Sequence, residues 1–507
     1  MMIRRLFPRI LLCALLTAVS AFAAENAAPE ALDVGSDWQL FLDDWLVGSL
    51  ENAELAVHRP QRRELAAEFG EAPWDGDSAG YFTVMNDGAR YHMYYHAWGQ
   101  NSGEPLSIAY LYSDDGIHWE RPNLGICEFQ GSKKNNIVMF GLRDYRNHDF
   151  NPFVDTRPGT PPEAKYKAIG KLYGGKEGDG LFVFQSADAV HWTEIKPGPV
   201  FTGHPFDTQN VAFWSEKENR YVLYYREFRD GFRVIRRAVS DNFTDWTDEG
   251  EIVFPEGEGP TKETQFYTNQ IFPYYRNKNL YIGFPARYTD RGEVPGTWEL
   301  PEPDQRKERM KLEPRLGTAV TDSVYIASRD GIHFTQSSDV FLAPGLRSAH
   351  NWFYGDNYIA WTMIETDSSD DDSPRELSLY ATESYGTGGD SRLRRYTLRI
   401  DGFGSLHAKS QTGCAQTKPL VFSGGELLLN AATSAAGNIW VEICGPDGKP
   451  LEGYASGDCD AVFGDFIEKK VSWNGKSDLS ALAGRPVILR FKMKEADIYS
   501  FRFAPRE

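Results

Sequence analysis

A seven-residue segment, Ser113-Asp114-Asp115-Gly116-Ile117-His118-Trp119, recurs along the chain. The further copies are Ser186-Ala187-Asp188-Ala189-Val190-His191-Trp192, Ser240-Asp241-Asn242-Phe243-Thr244-Asp245-Trp246 and Ser328-Arg329-Asp330-Gly331-Ile332-His333-Phe334. Each has Ser, then Asp or Asn two positions on, then Trp or Phe six positions on. Such a turn can hydrogen-bond its own backbone while the ring covers the hairpin. The chain is therefore predicted to repeat one supersecondary unit.

Alternating strands surround every copy of this turn. One strand precedes it directly, at 106–112, 180–185, 232–239 and 323–327, and a hairpin lies further upstream, as at 81–85 with 91–97. The last hairpin is predicted from 352–354 and 358–364, with a degenerate fifth turn at Glu383-Ser384-Tyr385. Five units of four strands predict a five-bladed β-propeller over 35–400. No useful helical period follows the first residues of the chain.

The pattern of predicted strands and turns changes after residue 400. Short alternating strands with turns such as Gly445-Pro446-Asp447-Gly448 predict a β-sandwich over 401–507. The fold class is therefore all-β.

The amino-acid composition argues against two classes of binding partner. The 507 residues include 14% aromatic side chains, and 54 Lys and Arg stand against 72 Asp and Glu, a net charge of −18. Nucleic acids and anionic membranes need a basic face, so neither is expected as a partner. The oligomeric state stays open.

The first residues are typical of an export signal. Arg4, Arg5 and Arg9 precede an apolar run at 10–20 and the small-residue site Ala21-Phe22-Ala23. The run is too short for a membrane anchor, so residues 1–23 are predicted to be a cleaved signal peptide and the protein to be secreted or periplasmic. Cys127, Cys414, Cys444 and Cys459 remain after cleavage, as a disulfide or as buried thiols.

A family resemblance rests on three segments. These are Gly131-Ser132-Lys133-Lys134-Asn135-Asn136, Phe206-Asp207-Thr208-Gln209-Asn210 and Leu393-Arg394-Arg395-Tyr396-Thr397-Leu398. With the predicted architecture, the chain resembles glycoside hydrolase families 32 and 43, and more closely exported bacterial proteins with a family-32-like N-terminal domain. The resemblance implies a secreted glycoside hydrolase-like protein that acts on a plant or algal polysaccharide or oligosaccharide. The alternative is a non-catalytic carbohydrate-binding protein, because the Asn-Asp-Pro, Arg-Asp-Pro and Glu-Cys motifs of these families are absent.

The resemblance implies catalytic carboxyls at the starts of the blades, where they would converge in the axial funnel. Asp75 (or Asp77) and Asp207 are candidates for the ionised group, Asp149 for the transition-state stabiliser, and Glu263 for the general acid, with Glu365 as its rival.

Substrate-binding candidates come from the same blade starts. They are Trp74, His148, Gln209, Asn210, Arg226, Tyr267, Asn269, Arg287, Asn351 and Trp352. Rings suit sugar stacking, amides can orient hydroxyls, and Arg226 with Arg287 could clamp an acidic sugar group or simply form ion pairs. His92 and His96 are more typical of packed strand histidines than of a metal pair. The acidic loop at 367–372 could bind structural calcium but is more typical of a solvated run, so no cofactor is predicted.

Overall fold

A computed structural model describes residues 31–76, 78–98, 107–142, 146–174, 178–370, 372–387 and 391–506. About 48% of the chain is strand and 5% is helix, which confirms the all-β class. No helix among the described residues is both long and apolar enough to cross a membrane. The predicted signal peptide and Asp77 lie outside these ranges.

Five antiparallel sheets follow one another along the chain, and we number them I to V. Sheet I has Ser78–Asn86, Tyr91–Trp98, Ser107–Ser113 and Ile137–Phe140; sheet II has Arg146–Asn147, Asn151–Val154, Tyr166–Tyr173, Gly180–Ser186 and Thr193–Glu194. Sheet III has Val211–Ser215, Arg220–Arg229, Phe232–Ser240 and Thr247–Glu251; sheet IV has Phe272–Tyr274, Asn277–Gly283, Ile326–Ser328 and Thr335–Gln336. Sheet V has Ile364–Thr366, Glu376–Glu383, Arg392–Arg399 and, from far upstream, Gln61–Glu68.

The repeated turn forms as the sequence predicts. The Ser113 hydroxyl accepts the backbone N–H of Gly116 at 2.8 Å, and the Asp115 carboxylate accepts the N–H groups of Ile117 and His118 at 2.7 and 2.8 Å. The same bonds form in the copies that start at Ser240 and Ser328. In the copy that starts at Ser186, Asp188 accepts the equivalent N–H groups, and the Ser186 hydroxyl accepts the Asp188 N–H at 3.2 Å. In each copy, the side chains of the turn therefore bond backbone N–H groups of the same turn without a partner strand.

The fourth residue of every copy has a left-handed backbone. Gly116, Ala189, Phe243 and Gly331 have φ of 73°, 65°, 70° and 77°. At three of these positions the carbonyl accepts a buried tyrosine hydroxyl from a neighbouring sheet: Tyr380 bonds Gly116, Tyr94 bonds Ala189 and Tyr224 bonds Gly331. The turn thus joins one sheet to the next.

Sheet V is completed by the N-terminal strand Gln61–Glu68, which pairs with Arg392–Arg399. The Glu383 carboxylate receives both Arg62 and Arg394, at 2.9 and 3.0 Å. Because these strands are more than 300 residues apart in sequence, their pairing joins the two ends of the five-sheet series.

Sheet V differs from the prediction at its first strand. Residues 352–354 form no strand: the Asp356 carboxylate accepts the backbone N–H of Phe353 and of Tyr385, at 3.0 and 2.9 Å, and holds this segment as a turn. The inner strand is Ile364–Thr366, which pairs with Glu376–Glu383.

The C-terminal region forms one curled sheet around its own core, and the segment upstream of the five sheets belongs to it. Its strands are Gln39–Leu40, Val47–Glu51, Glu54–Val57, Gly404–Ala408, Gly413–Thr417, Glu426–Cys444, Asp465–Lys470 and Ile488–Ala504, with a parallel pair from Leu32–Gly35 and Leu420–Phe422. Strand pairing therefore groups residues 32–57 with this region, whereas the sequence suggested a start of the first unit near residue 35.

An insertion in sheet IV carries the helices. A three-stranded sheet of Gln265–Phe266, Ala286–Asp290 and Ala319–Ser323 supports helices α1 (Pro295–Trp298), α2 (Pro303–Met310) and α3 (Arg315–Thr318). Short 3₁₀ turns lie at Pro162–Ala164 and Ser480–Leu482. The sequence pattern missed these helices because they are short and polar, although the 88 residues between Ser240 and Ser328 mark the widest repeat spacing.

Replacing Gly116 by Ala tests the turn as a joint between sheets. The new Cβ would lie 2.6 Å from Ile364 Cδ1 and 2.9 Å from Thr366 Cγ2, at a left-handed φ. Strain and overpacking together should lower the free energy of unfolding by about 2–5 kcal/mol. Gly88→Ala is the control, because Gly88 is also left-handed but has open space around it. Equal losses in denaturant unfolding of the two variants would show that contact with sheet V is unimportant.

Candidate active site

The inner ends of the five sheets line two separate cavities. Sheet I contributes Tyr81 to the first cavity and Met85 to the second. Each of the other four sheets, with the segment that precedes it, likewise contributes residues to both cavities. The corresponding pairs are His148 and Phe153, Asp207 and Trp214, Tyr267 and Phe272, and Tyr354 and Ile364. The cavities therefore lie at opposite ends of one group of inner strands.

The first cavity, which we call the tyrosine cavity, has a volume of about 320 Å³. It is lined by Tyr81, His96, Trp98, His148, Tyr173, Asp207, Tyr267, Leu312, Glu313, Arg315, Leu316, Tyr354 and Tyr385. Aromatic faces with a few charged groups among them suit a small polar ligand with apolar faces, such as a sugar ring.

Asp207 is the central charge of this cavity, with 54% of its side chain exposed. Its carboxylate lies 2.8 Å from His148 Nε2 and 3.4 Å from Arg226 Nη1. Partial burial raises the pKa of Asp207, but His148, Arg226 and Lys171 outweigh it and hold that pKa well below its usual value. Asp207 is consequently ionised at neutral pH.

His148 is the charged partner of Asp207. Burial lowers its pKa, but the carboxylates of Asp149 and Asp207 outweigh burial and raise the pKa to about 9. At neutral pH the imidazole is therefore a cation, which donates from Nε2 to Asp207 while its Nδ1 lies 3.7 Å from Asp149 Oδ1.

Asp149 holds this arrangement from below and does not line the cavity. Its carboxylate is buried and accepts the backbone N–H groups of Lys171 and Asn210, at 2.7 and 2.8 Å, and the Asn151 amide at 2.7 Å. The Asn210 amide also donates to the carbonyls of Phe206 and Thr208, at 3.0 and 3.1 Å. Asp149 and Asn210 are thus positioning residues for the turn that presents Asp207.

Buried amides form a floor between the two cavities. The Gln209 amide donates to Thr83 Oγ1 and Asn151 Oδ1, at 3.1 and 2.8 Å, and its oxygen accepts the Gln270 amide at 2.8 Å. Asn269 is buried beside them and donates to the Gln209 carbonyl at 3.3 Å. These amides bind other buried groups of the scaffold. Gln209 and Asn269 therefore do not line the cavity, although the sequence predicted them to bind substrate.

Two aromatic residues bordering Asp207 and the floor have unusual backbones. Tyr81 and Phe206 have φ of 50° and 48°, a region that costs non-glycine residues about 1–3 kcal/mol. The packing contacts of these two residues must offset the free-energy cost of their backbone conformation. Phe206 directly precedes Asp207, so one of these unusual backbones adjoins the central carboxylate of the cavity.

Two guanidinium groups lie over the Tyr267 ring, that of Arg226 and, 4.9 Å from the ring centroid, that of Arg233. The Arg226 guanidinium is buried, 4.1 Å from the Tyr267 ring centroid, and its Nη2 donates to the Tyr267 carbonyl. Burial raises the pKa of Tyr267, but the charges of Arg226 and Arg315 outweigh it and lower the pKa from its usual value. Tyr267 therefore lines the cavity, whereas Arg226 lies behind its ring and does not line the cavity.

The helical insertion supplies a second carboxylate that the sequence analysis missed. Glu313 and Arg315 line the cavity, and Glu313 Oε1 lies 2.6 Å from Arg315 Nε. The wide spacing before Ser328 was the available signal, but the sequence does not show where such an insertion folds.

Three predicted catalytic carboxyls lie elsewhere. Asp75 is fully buried and bound by Arg121 and the Tyr95 hydroxyl, at 2.7 and 2.8 Å. Glu263 is exposed in a turn, where Thr261 donates to it at 3.1 Å. Glu365 borders the second cavity, of about 520 Å³, which is lined mainly by apolar side chains.

The other predicted binding residues have structural contacts. The Trp74 indole donates to Asn136 at 2.6 Å, and Arg287 binds Asp322 through two nitrogens at 2.8 and 2.7 Å. Asn351 and Trp352 donate to carbonyls of the loop at 344–346. Of the two alternatives for Arg287, the structure has the ion pair.

His92 and His96, considered above as a metal pair, have different surroundings in the structure. His92 bonds the Tyr110 hydroxyl at 2.8 Å, whereas His96 lines the tyrosine cavity. Burial and the charge of His148 lower the pKa of His96 to about 3, so it is neutral. Among the described residues no group of three or more His, Cys, Asp or Glu side chains could hold a metal ion, and residue 371 of the acidic loop lies outside them. The four cysteines are free thiols.

The solved structures similar to this one are glycoside hydrolases of families 43 and 32 and related proteins. A thermostable family-43 glycoside hydrolase matches 68% of this chain and 96% of its own, at 11% identity and a TM-score of 0.43. A family-32 β-fructofuranosidase of Bombyx mori matches 98% of this chain and 100% of its own, at 8% identity and a TM-score of 0.41. A protein from a study of family 130 matches 71% and 96%, at 13% identity and a TM-score of 0.39.

No family model and no curated protein matches the chain. At identities and TM-scores this low, function has to be argued from the site itself.

The pKa of His148 predicts a pH dependence of stability. Because the folded pKa, about 9, lies above the unfolded value of about 6.5, the charged pair stabilises the fold fully below pH 6.5, and this contribution is lost as the pH rises through 9. His148→Gln should therefore destabilise most at pH 6–7 and least above pH 9.5, as measured by thermal unfolding.

His191→Gln is the matched control, since His191 is largely exposed beside Asp188. A His148→Gln deficit that stays constant from pH 6 to 10 would contradict the charged state of His148.

Proposed function

We propose that the protein is a secreted glycoside hydrolase-like protein whose tyrosine cavity holds a sugar of a plant or algal polysaccharide or oligosaccharide. The observation that carries this proposal is a half-exposed, ionised Asp207, fixed by His148 and Arg226 in a cavity walled by tyrosines. We further propose that sheets I to V are the blades of a five-bladed propeller and that the C-terminal region is a β-sandwich.

Two carboxyls at one sugar are what glycoside hydrolysis requires. The low pKa of Asp207 suits the ionised role, as a base, a nucleophile or a stabiliser of an oxocarbenium-like transition state, and is unsuited to proton donation. Glu313 is the second carboxyl of the cavity and the proposed proton donor. For that role, its contact with Arg315 has to open when a sugar enters.

A non-catalytic carbohydrate-binding function is the second candidate. One observation favours it: each carboxylate of the cavity already has a cationic partner, Asp207 in His148 and Glu313 in Arg315.

Asp207→Asn tests the catalytic role of Asp207, and the wild-type assay beside it separates the two candidate functions. Removing the charge while keeping the shape should lower turnover of a cleaved glycan by about 100-fold or more, measured as release of reducing ends from plant and algal glycans. Asp241→Asn is the control, because Asp241 is an exposed carboxylate in a repeat turn outside the cavity.

If the wild-type protein binds glycans but releases no reducing ends, the binding function replaces hydrolysis. If Asp207→Asn cleaves as fast as the wild type, Asp207 has no catalytic role.

Export is the cellular part of the proposal. The pattern at 1–23 supports cleavage after Ala23 and function outside the cytoplasm. Mass spectrometry of the mature natural protein should give an N-terminus at Ala24. A mature protein that begins at Met1 would contradict export by this route.

A further inference from the structure

Three cationic side chains surround the tyrosine cavity. His148 and Arg315 line it, and Arg226 lies directly behind Tyr267. Arg315 comes from the helical insertion and lies with its guanidinium 5.1 Å from the Tyr354 ring centroid. Cations therefore approach the cavity both from the sheets and from the insertion.

Two of these guanidinium groups have unused donors. Arg315 Nη1 and Arg226 Nε are buried and have no hydrogen-bond partner among the described residues. Burying a guanidinium N–H without an acceptor is costly, and an incoming anionic oxygen would relieve that cost at Arg315, which lines the cavity. Arg226 as a whole is only 2% exposed, so its charge acts in a region with little water.

The local balance of charge is positive. His148, Arg226 and Arg315 oppose Asp207 and Glu313, while the neighbouring Asp149 and Lys171 cancel. The whole chain carries a net charge of −18. A positive cavity in a strongly negative protein attracts anions locally, against the field of the remaining surface.

We propose that the tyrosine cavity is specific for an acidic sugar, whose carboxylate or sulfate binds Arg315 at the rim, with the charge of Arg226 in support. This inference rests on the proposed function, because it takes the cavity to be the sugar site. Arg315 replaces Arg287 in the acidic clamp suggested by the sequence, because Arg287 does not line the tyrosine cavity and binds Asp322 through Nε and Nη2. A planar guanidinium matches a carboxylate or sulfate better than a hydroxyl.

The test compares acidic and neutral glycans of the same backbone. Calorimetric titration of the wild-type protein would use polygalacturonate against its fully methyl-esterified form, and a sulfated galactan against its desulfated form. One acidic member should bind at least about 10-fold more tightly than its neutral counterpart, and raising NaCl from 50 to 500 mM should shrink that ratio. The preferred pair tells whether the anion is a carboxylate or a sulfate.

Variants of Arg315 then locate the preference. Arg315→Gln should bring the acid-to-neutral ratio close to 1, and Arg315→Lys should retain part of it. Arg59→Gln is the control, since Arg59 is an exposed arginine paired with Asp339 outside the cavity. If Arg315→Gln does not fold, judged by thermal unfolding, the Lys variant and the salt dependence decide.

The outcomes distinguish this inference from the proposed function. Equal or tighter binding of the neutral glycans overturns acidic specificity and leaves the sugar site standing. A preference that survives Arg315→Gln overturns the role of Arg315. Failure of every acidic and neutral glycan to bind overturns both proposals.

Discussion

The structure depends on one joint: the carbonyl at the left-handed position of the repeated turn, which accepts a tyrosine hydroxyl from a neighbouring sheet. The turn forms this geometry by itself, through Ser and Asp or Asn side chains that bond its own N–H groups. The inward carbonyl is then left for another sheet to satisfy, as Tyr94, Tyr224 and Tyr380 do. Because an unpaired buried carbonyl is costly, this bond favours one relative placement of adjacent sheets.

That placement makes the inner ends of the strands converge, and convergence creates the site. Tyr81, His148, Asp207, Tyr267 and Tyr354 come from five different segments of chain, yet they line one cavity. The buried amides of Gln209 and Gln270 fill the space beneath them and bind across sheets. Rigid strands thus fix the charges from below, which is the arrangement that preorganises a polar site.

The repeated turn was predictable because its chemistry is local: seven residues contain both the donors and the acceptors. The position of His148, Asp207 and Tyr267 at one cavity was also predictable, because all three precede inner strands. Asp75 has the same signal, but its charge is taken by Arg121, which lies 46 residues away, and no local pattern shows that pairing. Glu365 lies away from the tyrosine cavity for another reason: its strand, Ile364–Thr366, is at the end of the inner strands that borders the second cavity.

The sequence could not predict the rim of the cavity. The insertion that forms this rim is held by a buried arginine, and that arginine has no carboxylate partner among the described residues. Arg306 of helix α2 donates to the carbonyls of Pro301, Gly317 and Trp352, at 2.8, 3.1 and 2.6 Å. Burial and the nearby Arg309 lower its pKa to about 10. Three backbone carbonyls bind the cation without adding a fixed negative charge, and the carbonyl of Trp352 among them fastens the insertion to the turn at 352–357. The insertion therefore brings one anion and one cation to the cavity, Glu313 and Arg315, and the positive balance comes from His148 and Arg226 beside Asp207.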